Sequence, residues 1–199
     1  MRSTALTYQI TSGSLVAGDG FSGALTRAAG EAVGSYAIQQ GTLALNSNYT
    51  LTFVGTNFTI TFAPVGTACS GEPGHIVLPP FKLVGGGSTV YGTVVAKTGS
   101  TVPVKIRVCG VDGASIGPTP LQLAVVAAIY YLGISQEQPT VEEGLFDEST
   151  TPDAGFRWSD SGSQWIWNMN TRTLQPRQTH WFRIDLIDGS SIYFNVTTK

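Results

Sequence analysis

Large apolar residues and hydroxyl-bearing residues alternate in this chain with a period of two. Leu6, Tyr8 and Ile10 are interleaved with Thr7, Gln9 and Thr11. Tyr49, Leu51 and Phe53 flank Thr50 and Thr52, and Phe58, Ile60 and Phe62 flank Thr59 and Thr61. Side chains two apart share one face of a strand, so each run predicts a half-buried strand. Gly18-Asp19-Gly20, Gly30, Gly34, Gly41 and Gly55 break the runs. Short strands with frequent turn signals predict a β-sandwich.

Composition narrows the function. Charged residues make up 12% of the 199, against about 25% in an average soluble protein. The formal net charge is -2, which excludes the clustered basic footprint of nucleic-acid binding and a polybasic membrane anchor. The longest apolar stretch, Ala124 to Leu132, is far short of the roughly 20 residues that span a bilayer, so no membrane insertion is expected. Met1 to Ala5 leads straight into a strand pattern without an apolar h-region, so no secretory signal is read there. That start suits either an intracellular protein or a piece of a longer one.

Pro64 to Pro80 carries Gly66, Gly71, Pro73, Gly74, Pro79 and Pro80 and reads as a connector. It divides the chain into a first domain over 1–63, a connector over 64–80 and a second domain over 81–199. In the second domain, Val102 to Val108 alternates cleanly. Val104, Ile106 and Val108 are expected inside, and Lys105, Arg107 and Cys109 outside. Pro103 near the strand start suits an edge position. Leu121 to Leu132 follows two prolines and is rich in Val, Ile and Tyr, so a buried strand is favoured over a short helix. Glu137 to Asp153 is acidic and irregular.

The last hairpin has a definable register. Phe182, Ile184 and Leu186 share one face, as do Ile192, Phe194 and Val196. Directly opposed residues point the same way. A two-residue loop at Asp188-Gly189 would set Ile192 against Asp185 and mix the faces. A three-residue loop, Ile187-Asp188-Gly189, pairs Ile184 with Ile192 and Phe182 with Phe194. Gly189 then takes the left-handed position of the loop.

Candidate sites are few. Glu31-Ala32-Val33-Gly34-Ser35-Tyr36 reads as a tyrosine corner, in which a Tyr hydroxyl bonds upstream backbone and locks a loop. Ile38 stands where an inter-sheet disulfide would place its second Cys. Cys69 and Cys109 lie about 40 residues apart. A disulfide between them is expected because a β-rich, Lys-poor chain looks extracellular; two free thiols are the alternative. His75, near Glu72 and Cys69, lacks the further ligands of a metal site and reads as a loop histidine bonded to backbone. No metal or cofactor is expected. Glu142, Glu143, Asp147, Glu148 and Asp153 lack calcium-loop spacing and read as a solvated acidic loop. Trp158, Trp165, Trp167 and Trp181 would supply a glycan-stacking platform, but their alternation with Ile166 and Phe182 also fits ordinary sandwich packing, which is the favoured reading. Asn48, Asn57 and Asn195 open glycosylation sequons. No nucleophile, base and oxyanion donor can be assembled, so no enzyme is expected.

Residues Tyr8 to Phe62, with Arg27 to Ile38 and Asn48 to Phe53, resemble the MBG domain of the YGX type. These are immunoglobulin-like repeats of large bacterial secreted and surface proteins. The second half resembles the PxKF domain that follows such repeats. Its marks are Gly66 to Cys69, Pro73-Gly74-His75, Ser100 to Cys109, Phe156-Arg157-Trp158, Gln164 to Asn168 and Asp188-Gly189. Ile106 replaces that domain's namesake Phe, and the Tyr-Gly-x opening strand of the first domain has no counterpart. The resemblance implies two tandem immunoglobulin-like β-sandwich domains, an all-β fold. Their role would be a non-catalytic extracellular stalk or adhesin segment. The expected partners are other protein modules, or neighbouring copies reached through an exposed sheet edge. The rival expectations are a filament subunit joined by strand addition and a glycan-binding module.

Overall fold

A computed structural model describes residues 5–63, 68–69, 72–85, 90–119, 124–139, 144–149 and 155–199. The fold is all-β, and it divides into two compact units, Met1–Ile60 and Thr61–Lys199.

The first unit holds one three-stranded antiparallel sheet. It comprises β1 (Thr26–Arg27), β2 (Gly34–Gln39) and β3 (Asn57–Ile60), with β2 in the centre. Tyr36 pairs with Phe58, as their matching alternation demands. Two of the expected strands do not form. Residues 5–11 and 50–55 join no ladder, and Tyr8 and Ile10 remain 49% and 50% exposed. Their apolar side chains instead border an open cavity of about 770 Å³, lined among others by Tyr8, Ile10, Phe21, Leu25, Ile38 and Phe53. Alternation specifies which face of a segment is apolar; a ladder also requires a neighbouring edge at the right distance.

The second unit opens with two short strands, β4 (Ala68–Cys69) and β5 (Glu72–Pro73), paired with each other. The further strands are β6 (Lys82–Val84), β7 (Tyr91–Ala96), β8 (Thr101–Ile106), β9 (Val126–Ile134), β10 (Gly144–Leu145), β11 (Arg157–Ser159), β12 (Gln164–Asn170), β13 (Thr179–Leu186) and β14 (Ser191–Thr198). A six-stranded sheet runs β10-β9-β13-β14-β7-β6, and a three-stranded one runs β11-β12-β8. The β7–β14 pair is parallel. Phe146 joins the two sheets, its ring 6.0 Å from Trp167 on β12 and 4.9 Å from Phe182 on β13.

The hairpin has the register expected of it. Ile184 faces Ile192 and Phe182 faces Phe194. Leu186 and Ser190 close the three-residue loop through Leu186 N to Ser190 O (2.8 Å), and Gly189 has φ 86°. Phe182 and Phe194 are fully buried and stacked 5.0 Å apart. On β8, Val102, Val104 and Ile106 oppose Met169, Trp167 and Trp165, and all six are buried. β8 is an outer strand of its sheet, the position a proline such as Pro103 tolerates. Lys105 is half-buried opposite Ile166. The apolar run before Leu132 enters β9, with residues 120–123 outside the described set.

The segment read as a connector is not a bare linker where it is described. Ile76, Val77 and Leu78 are buried; Val77 bridges Ile106, and Leu78 N donates to Lys105 O (2.8 Å). Gly92 on β7 lets this segment approach, since a Cβ there would lie 1.9 Å from Val77 Cγ2. Pro and Gly read as loop signals, but the Ile-Val-Leu run between them is core.

Candidate functional site

The corner in the first unit is assembled from residues close in sequence. Tyr36 lies on β2, and its hydroxyl donates to Ala32 O at 2.7 Å. Gly30 makes room for the ring, because a Cβ there would fall 2.1 Å from Tyr36 Cε1. Gly34 opens β2. Arg27 lies over the rings of Tyr36 and Phe58 at 5.3 and 5.2 Å and pairs with Glu31, which is exposed. Arg27 also donates to the Ala28 and Gly30 carbonyls, so this ion pair holds the loop. Elsewhere in the first unit, Tyr49 Oη donates to Asp19 Oδ2 (2.7 Å) and accepts from Val16 N (2.9 Å). The Val16 bond favours the phenolate, but the bond to Asp19, burial and the Asp19 charge outweigh it and raise the phenol above its usual range.

The second constellation surrounds the disulfide. Cys69 and Cys109 are bonded, with Cα atoms 5.4 Å apart. Cys109 was expected on the outward phase of its strand; it is fully buried. β8 ends at Ile106, so the alternation no longer governs position 109. Beyond that end the backbone is clamped from several directions. Ala63 N donates to Cys109 O (2.9 Å), and Cys109 N donates to His75 Nε2 (3.0 Å). Ser115 bridges Cys109 in antiparallel fashion. His75 sits at φ 56° with its own N–H on Arg107 O (2.7 Å). Asp188, from the β13–β14 loop, accepts from Phe62 N at 2.9 Å.

His75 is 1% exposed. Burial pushes its imidazole below the usual histidine range. The hydrogen bond to Cys109 and the charge of Asp188 act the other way without cancelling the effect. Reading the sequence placed His75 on backbone but did not identify its partner, because the partner lies 34 residues away.

The stacking platform, the less favoured reading of the four tryptophans, does not form, because three of them are buried. Trp165, Trp167 and Trp181 are 2%, 0% and 1% exposed, so no sugar ring can reach their faces. Trp165 donates to Ile116 O and Trp181 to Ser135 O. Their alternation directs them into the core, which is the ordinary-packing reading. Trp158 alone is half-buried; it donates to Asp160 and lies 5.4 Å from the Trp165 ring. Asn195 is 5% exposed and accepts from Thr93, so its sequon is shielded in the folded protein. Asn48 and Asn57 are exposed. Glu142, Glu143 and Asp153 lie outside the described residues, and Asp147 is exposed. Among the described residues no cluster of three His, Cys, Asp or Glu could hold a metal ion, and no helix is long and apolar enough to cross a membrane.

Residues 2–59 match the MBG domain of the YGX type. The match covers nearly all of the first unit, including the Tyr36 corner and the cavity walls. No curated protein matches the chain.

Proposed function

We propose that this chain is a non-catalytic structural module, a stalk or adhesin segment of an extracellular surface protein. The observation that carries it is the MBG match over 2–59, followed by a unit in which three of the four Trp residues go into core and the two Cys residues cross-link. We read the second unit as PxKF-like on the residues that resemble it. A buried disulfide suits an oxidising compartment.

A spacer held under tension must resist extension. In single-molecule pulling of the full chain, the second unit should open in one discrete event. The 40-residue separation of the cysteines hides about 14 nm of contour at about 3.6 Å per residue, which reduction should restore. Extension without a discrete event would refute the spacer role.

A second reading is favoured by the cavity in the first unit. Two extended segments with strand-like alternation border it without pairing, so a strand from another copy would find an apolar slot there. Light scattering during size exclusion tests this. Assembly that grows with concentration supports a filament subunit, and a strict monomer over a wide range removes it.

A further inference from the structure

We propose that β14 is a clamp loaded in shear, and that Asp188 sets the load direction by fastening the chain's entry to the start of that strand. The proposal rests on the spacer reading and adds how the second unit resists tension.

Tension reaches the second unit at opposite ends of β14. From the first unit it arrives at Thr61 and passes to Phe62, which is 3% exposed. Phe62 N donates to Asp188 Oδ2 (2.9 Å). Asp188 stands in the β13–β14 loop, just before β14 begins at Ser191. A pull on Lys199 acts at the other end, past Thr198. The 8 residues of β14 span about 26 Å at about 3.3 Å each. Force between Phe62 and Lys199 therefore runs along this strand.

The entry is braced. Ala63 N donates to Cys109 O (2.9 Å), and Cys69 is bonded to Cys109. Asp188 Oδ1 accepts from Ser190 N (2.9 Å) and Ser190 Oγ (2.6 Å). Its neighbour Ile187 donates through N to Val125 O (3.1 Å), which ties the loop to the segment before β9.

Both neighbours of β14 oppose sliding. β13 pairs with it antiparallel from Asp185–Ser191 to Thr179–Thr197, and β7 pairs with it parallel from Tyr91–Tyr193 to Ala96–Thr198. The ladder bonds run between strands. Force along β14 strains all of them together, whereas force across one end parts them pair by pair. Sliding also drags Ile192, Phe194 and Val196 from their buried positions. At the far end, Lys199 N donates to Ala96 O (2.9 Å) and Lys199 O accepts from Thr98 N (3.2 Å).

The test compares two pulling directions on the full oxidised chain. In the first, handles at the N-terminus and beyond Lys199 load β14 lengthwise, and the second unit's event is recognised by the contour it gains on reduction. In the second, one handle sits on Gln175→Cys and the other beyond Lys199. Gln175 is exposed, and its carbonyl accepts from Thr198 Oγ1 (2.6 Å), so this pull opens the ladder from its end. The native cysteines are bonded to each other, which leaves the new thiol for the handle. At one loading rate, the end-on force should be lower by about twofold or more, because the pairs part singly.

Asp188→Ala should lower the lengthwise force and leave the end-on force unchanged. A merely structural role, through the bonds to Ser190, would lower both alike. Equal wild-type forces in the two directions, or an equal loss in both for D188A, overturn the clamp while the discrete event still supports the spacer. No discrete event in the lengthwise pull refutes the spacer, and the clamp with it. If D188A fails to fold, the wild-type comparison decides.

Discussion

Opening the Cys69–Cys109 bond frees a segment that supplies strands to both sheets of the second unit. The cross-linked stretch contains β7 of the six-stranded sheet and β8 of the three-stranded one. In the chain-entropy description, closing a 40-residue loop limits the unfolded state by about 4 kcal/mol. For a unit of this size that corresponds to about 12–16 °C in Tm. All four tryptophans lie in the second unit, so their fluorescence during urea unfolding follows that unit alone. Reduced wild-type protein should lose about 4 kcal/mol relative to oxidised protein. Cys69→Ala with Cys109→Ala should lose at least as much, any excess reporting the packing of two buried sulfurs. A loss under about 1 kcal/mol in both would refute the loop-closure argument. It would mean that the unfolded chain already keeps the two cysteines together.

Further expectations follow from single contacts. Tyr36→Phe removes the bond to Ala32 O and should destabilise the first unit by about 1 kcal/mol, seen in its thermal transition with the tryptophan signal unchanged. Gly189→Ala meets no steric neighbour, yet forces a side chain into φ 86°. It should cost about 1–2 kcal/mol in urea unfolding, and Gly189→Asn should cost less. Phe182→Ala should cost about 3–5 kcal/mol because the ring is fully buried against Phe194 and Phe146. Acrylamide should quench Trp158 and barely touch Trp165, Trp167 and Trp181. Removal of most native quenching by Trp158→Phe checks this, and its persistence would contradict the buried core.

Residue order alone determined the features that depend on parity and local turn chemistry. The faces of β8, β12, β13 and β14 follow from alternation. The three-residue hairpin follows because a two-residue loop would mix apolar and polar faces across the ladder, and Gly189 suits its left-handed position. The contact of Tyr36 with the backbone just before it spans four residues, short enough to be encoded locally. Tertiary structure decided everything that needed a partner far along the chain. Phe62 meets Asp188 across 126 residues, His75 meets Cys109, and β14 lies parallel to β7, none of which leaves a periodic trace. The same limit explains Tyr8 and Phe53, whose segments carry a strand pattern but join no ladder. Alternation states which side of a segment avoids water, whereas the supply of a hydrogen-bonding neighbour is settled only when the whole chain has closed around its core.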